Sequence, residues 1–177
     1  MKTKDMAITA LMAALLCVLA PNVIPLAPIP LSLATFAVYL AAAVLGAKRG
    51  TAAVALYLLI GSVGVPVFSG YSGGFHKLAG PTGGYLVGYL LCAWISGLGA
   101  KPGEIAPEKK WLLPAMMALG TVALYALGTA WFMVQSGNAL AASLSMCVLP
   151  FLPGDAAKIA AATLLAWPLR RALYRSK

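Results

Sequence analysis

The chain has 177 residues, 62% of them hydrophobic and 10% charged, with a mean hydropathy of +0.90 and a net charge of +9. A soluble domain carries roughly 25% charged residues, so the composition excludes an ordinary soluble globule and predicts an integral membrane protein. One domain over 1–177 fits the length, and at about 20 residues per crossing there is room for some six helices and no separate soluble domain.

A short polar start, Met1 to Asp5, leads into a first apolar run from Met6 to Leu19, closed by Pro21 and Pro25. A basic start before an apolar run resembles a signal peptide, but Pro-Asn-Val is a poor cleavage context, and the run is read as helix 1. It carries Ala10 and Ala14, four apart on one face, with Ala7 and Ala13 nearby; small residues at that spacing let a second helix approach closely. Asn22 to Ser32 is a connector kept extended by Pro25, Pro28 and Pro30, apolar enough to pack against other outer loops. Leu33 to Ala47 reads as helix 2, Lys48-Arg49-Gly50 as a tight basic turn, and Thr51 to about Val67 as helix 3, bent or ended near Gly61, Gly64 and Pro66.

Ser69 to Tyr85 (SGYSGGFHKLAGPTGGY) is too rich in glycine for a helix. It contains His76, the only histidine, beside Lys77, and passes through Thr82 and Gly83 into the next apolar run. Glycines let backbone approach a ligand, and irregular backbone at membrane depth is tolerated where it lines a cavity. The loop is read as one wall of a pocket; a plain connecting turn is the other reading. Tyr85 to Leu98 is helix 4, with Gly84 and Gly88 spaced for close packing. Lys101 to Lys110 is an exposed loop, and Trp111 to Val134 is helix 5, with tryptophans near both ends. After a turn at Gln135 to Asn138, Ala139 to Leu149 reads as a short, half-inserted helix. Pro150 to Asp155 breaks it, and Ala156 to Leu169 is helix 6. Cys17, Cys92 and Cys147 lack metal-ligand spacing and imply no disulfide framework.

With the N-terminus inside, alternate threading puts eleven of the thirteen basic residues on the inner side. The predicted fold is therefore an all-α bundle of six transmembrane helices, both termini cytoplasmic, with ligand-binding extracellular loops. Short loops and this bias suit a bacterial plasma membrane. The charge excess is explained by orientation in the bilayer, so no nucleic-acid partner is expected. The exceptions are Lys77 and Lys158. A charge near bilayer depth costs about 2.5–3.5 kcal/mol, which makes such groups functional candidates. Lys158 stands three residues after Asp155, on the same helix face. One reading is structural: Asp155 caps helix 6 and pairs with Lys158. The other is a ligand site, with a helix N-terminus and Lys158 binding an anion, Lys77 adding a second cation, and Asp155 accepting N–H groups. Phe68, Tyr71, Phe75, Tyr85 and Tyr89 are candidates to pack the apolar middle of such a ligand.

Four stretches in order carry a resemblance: Ile24-Pro-Leu-Ala-Pro-Ile-Pro-Leu31, Gly64-Val-Pro-Val-Phe-Ser-Gly70, Gly80-Pro-Thr-Gly-Gly-Tyr85 and Pro150-Phe-Leu-Pro-Gly-Asp-Ala-Ala-Lys158. Over nearly its whole length the chain resembles the biotin-binding BioY family, membrane subunits of energy-coupling-factor vitamin transporters. The resemblance implies six helices, high-affinity biotin capture from outside, and coupling to a transmembrane protein and two cytoplasmic ATPases. The chain has no nucleotide-binding G-x-x-x-x-G-K-[ST] stretch of its own. The resemblance also implies that the small-residue face at Ala10 and Ala14 meets the coupling partner, that Asp155 takes the ureido N–H groups, and that Lys158 takes the carboxylate. The family often has a further polar or basic residue on helix 4, where this chain has Tyr89, and Lys77 is a candidate to compensate. No cofactor is implied; biotin is cargo.

Two other functions compete. A membrane-embedded enzyme would have to work with His76 and Ser69 or Ser72, or with Asp155 alone, which is a thin catalytic set. A stand-alone facilitator for another small vitamin would act without coupling subunits.

Overall fold

The structure, a computed structural model, describes residues 3–24, 31–100 and 111–174. The centre of the proline connector, the Lys101 to Lys110 loop and both chain ends therefore lie outside the described residues. Helices make up the fold: α1 (Thr3–Leu19), α2 (Ala34–Ser62), α3 (His76–Ala79), α4 (Gly83–Leu98), α5 (Leu112–Ser136), α6 (Leu140–Cys147) and α7 (Leu152–Tyr174). Two two-residue strands, β1 (Val23–Ile24) and β2 (Leu31–Ser32), pair antiparallel and close the ends of the connector on each other.

The centre of the bundle is the first arm of α2. Every residue from Ala37 to Gly46 is buried, as expected of a helix apolar on all sides. At Gly46 the helix breaks, with φ 77° and ψ 178°. Eight helical residues rise about 12 Å, yet a Cβ on Gly50 would lie 2.9 Å from Ala42 Cα, so the second arm doubles back on the first. This corrects the position of the turn: Lys48, Arg49 and Gly50 are helical, and the break falls at Gly46, where only glycine sustains that backbone. Helix α4 packs on both α2 and α5, while α1 and α7 pack on α2. Gly84 and Gly88 admit Trp131 and Leu124 of α5 at contacts a side chain would block.

Among the described residues, two helices, α2 and α5, are long and apolar enough to cross a membrane, and the bent pair α6 and α7 counts as a third span if taken together. The bend between them is 47°. Helix α7 starts at Leu152, before the predicted Ala156, because proline is tolerated in a first turn where its missing N–H has no partner anyway. Likewise α1 begins one turn early, since Asp5 is held by Arg49 in a two-point ion pair of 2.7 and 2.8 Å. The second arm of α2 stops at Ser62, short of the predicted Val67; Gly64, with φ 107°, and Pro66 follow.

Candidate ligand site

A cavity of about 280 Å³ opens among α2, α4, α5, α7 and the glycine-rich loop, at the small end of the size range of small-molecule sites. Its polar floor is built around Asp155, 4% exposed. Asp155 Oδ1 accepts from Thr35 Oγ1 at 2.9 Å and from Lys158 Nζ at 2.9 Å. Tyr125 donates its hydroxyl to Oδ2 at 2.5 Å. Lys158 also donates to the Ser32 carbonyl at 2.8 Å and to Thr35 Oγ1 at 3.0 Å. An ammonium has three hydrogens, and these three bonds use them all.

Asp155 does not cap α7. Its own N–H donates to the Phe151 carbonyl at 2.8 Å, placing it inside the first turn, and its side chain points across to α2 and α5. The capping explanation therefore fails, while the pairing with Lys158 stands. A buried carboxylate is tolerated only when paired and hydrogen-bonded, and Thr35, Tyr125 and Lys158, on three helices, supply that here.

Seven of the nine residues expected to bind ligand line the cavity: Asp155, Lys158, Lys77, Thr82, Tyr85, Tyr89 and Phe68. Lys77 lies on α3, a single helical turn inside a loop expected to have none. Among the described residues its side chain makes no hydrogen bond or ion pair. Phe68 is backed edge-to-face by Tyr57, with ring centroids 5.5 Å apart. Tyr85 is steadied by Thr129 at 3.1 Å. The loop itself is tied down, since Trp131 Nε1 and Gln135 Nε2 donate to the Gly80 and Ala79 carbonyls at 2.9 and 3.0 Å.

The other two do not line the cavity. Phe75 is 73% exposed. Gly83 presses on the Leu78 carbonyl, where any side chain would collide, so it packs α3 on α4. Tyr71 and His76 are likewise exposed and outside the lining, which separates His76 from Ser69 and Ser72, both of which line it.

Sequence reasoning missed Ser32, Thr35, Leu86, Leu124, Tyr125, Cys147 and Phe151. Ser32 follows the proline stretch directly, so that stretch held a signal. Tyr125 and Thr35 lie in apolar helices whose outward and inward faces are equally hydrophobic.

Ala10 and Ala14 are exposed on α1, opposite the face formed by Ile8, Met12, Ala13 and Leu16, which is buried against the bundle. Met6, Leu11 and Val18 are exposed with them.

Comparisons with known proteins agree with this architecture. The biotin transporter BioY of Thermotoga maritima is 40% identical over 148 residues, covering 84% of this chain and 85% of that protein. The probable biotin transporter BioY of Pyrococcus horikoshii is 37% identical, covering 94% and 96%. A crystal structure of the S-component for biotin from an ECF-type ABC transporter superposes with a TM-score of 0.86 at 29% identity, covering 96% of this chain and 92% of that one. Residues 1–175 match the model of the BioY family, and the chain belongs to that family.

Proposed function

We propose that the protein is the biotin-binding membrane subunit of an energy-coupling-factor transporter, capturing biotin from outside for uptake driven by partner subunits, with no catalysis of its own. The observation that carries this reading is the cavity floor: a buried, ion-paired carboxylate beside aromatic walls and a lysine, Lys77, with no bonded partner among the described residues. Biotin has complementary chemistry, with ureido N–H donors, an apolar bicycle and chain, and a carboxylate. Asp155 accepts a ureido N–H. Phe68, Tyr85 and Tyr89 pack the apolar part, and Thr82 closes the side. Lys158 can reach the carboxylate only by releasing one of its three bonds, so its main role is to hold Asp155 in place. Lys77, with its donors uncommitted among the described residues, meets the carboxylate.

In this reading the whole chain is one multi-pass domain of a bacterial plasma membrane. The two arms of α2 count as separate crossings, giving six with α1, α4, α5 and the α6–α7 pair, and both termini are cytoplasmic. Arg49 and Asp5 then sit at the inner surface. The exposed face at Ala10 and Ala14 receives a transmembrane coupling protein, which itself engages two ATPases.

The test is calorimetric titration of the purified subunit with biotin, thiamine and riboflavin. Tight binding of biotin alone is expected. Equal binding of all three, or none of biotin, would remove the ligand assignment. Uptake in a host lacking coupling subunits would identify a stand-alone facilitator instead.

A further inference from the structure

The hydroxyl of Tyr125 and the carboxylate of Asp155 form a side-by-side donor and acceptor on the cavity wall, which both residues line. Tyr125 has one hydrogen, and it lies on Asp155 Oδ2. Oδ1 already accepts from Thr35 and Lys158, so the accessible acceptor is Oδ2. A cyclic urea has a matching edge: its carbonyl and each ring N–H lie side by side, pointing the same way. If that edge enters between the two side chains, the bond from Tyr125 to Asp155 is exchanged for two others. The N–H donates to Oδ2, and the tyrosine hydroxyl turns to donate to the ligand carbonyl. No polar atom is left without a partner, which a buried site requires.

We infer that Tyr125 is a specificity-determining residue that donates its hydroxyl to the ureido carbonyl while Asp155 takes the adjacent N–H. This rests on the biotin reading and deepens it, because it assigns the carbonyl a partner that the sequence motifs did not supply. A site that hydrogen-bonds a particular ligand group rejects an analogue lacking that group more strongly than an apolar pocket does. The pair therefore selects an amide-like edge. A ligand with a second carboxylate in place of the ureido ring would face Asp155 directly and be refused.

The experiment compares biotin with its 2-thio analogue, in which the carbonyl oxygen is replaced by sulfur, a weak acceptor. Binding of both to the purified wild type and to Tyr125→Phe is measured by calorimetry. Wild type should prefer biotin by roughly tenfold. In Tyr125→Phe biotin should weaken by a similar factor and the preference should fall to near one. A merely structural role would weaken both ligands equally and leave their ratio unchanged, which would overturn the inference, as would biotin binding in Tyr125→Phe equal to wild type. Tyr125→Leu replaces the Phe variant if the latter is not monodisperse. A wild type that binds biotin without preferring it over the thio analogue sinks this inference alone; a wild type that does not bind biotin sinks the biotin reading with it.

Discussion

Thr35 and Asp155 stand 120 residues apart and share a 2.9 Å hydrogen bond that ties the first arm of α2 to α7 at the cavity floor. The same hydroxyl accepts from Lys158, so one oxygen serves both members of the ion pair. Thr35→Val keeps the shape and removes both bonds. Leaving a buried polar group short of a partner costs about 1–3 kcal/mol. The variant should melt lower and bind biotin roughly tenfold or more weakly, as read by thermal shift and calorimetry. Unchanged affinity would mean that Asp155 keeps its orientation through Lys158 and Tyr125 alone.

Lys158 and Asp155 form a buried pair, and removing one partner of such a pair typically costs about 3–5 kcal/mol, because the other is left charged and unpaired. Lys158→Ala should therefore be less stable than the double variant Lys158→Ala with Asp155→Asn, where no charge is stranded. Both should lose biotin. Thermal unfolding of wild type, Lys158→Ala, Asp155→Asn and the double variant in detergent checks the order and closes the cycle. Additive losses would show that the two side chains act independently.

This pair was legible in the sequence because two charges three residues apart in an apolar stretch have few explanations. Most of its support was not. Thr35 and Tyr125 sit in segments apolar all round, where spacing does not reveal which face turns inward, and their partners come from distant helices. The break in α2 was displaced for a related reason. Lys48-Arg49-Gly50 looks like a turn because it is polar, whereas the backbone turns at Gly46, which has only apolar neighbours. Phe75 was drawn into the pocket by aromatic character alone, and the one-turn α3 points it outward. The loop's role as a cavity wall was readable from glycine content and Lys77, though Gly83 is there to pack against Leu78.

Lys77 should act on the ligand's charge and not on the fold, since it lies at the surface of the loop. Lys77→Ala should weaken biotin by about 10–100-fold, the size of one charge-assisted hydrogen bond. It should leave the neutral biotin amide almost unaffected. Paired titrations of acid and amide check this. Equal losses for both would shift the carboxylate contact to Lys158.

Gly128 leaves room for the ring of Tyr85, which a methyl group at that position would strike. An aromatic ring pinned by Thr129 cannot swing aside freely, and overpacking of this kind costs about 1–3 kcal/mol. Gly128→Ala should therefore weaken biotin binding although residue 128 does not touch the cavity. Gly137→Ala, where no atom lies within 4 Å of the added carbon, is a poor control because its φ is 70°. Ala126→Val, on the same helix and exposed, is the better one and should bind as wild type does.

Ala10 and Ala14 provide the test that separates capture from uptake. Both are exposed on α1, on the side away from the cavity-bearing bundle. Small residues one turn apart allow a partner helix to approach to backbone contact, and tryptophan at either position would hold that helix off. Ala10→Trp and Ala14→Trp should bind biotin as wild type does, because their side chains point away from the core and from Asp155. They should fail to support uptake in cells that supply the coupling protein and ATPases, and should co-purify with less of that partner. Normal uptake would place the coupling surface elsewhere on the bundle. Loss of biotin binding would mean that α1 helps shape the pocket, through Met12 and Leu16 on its buried face.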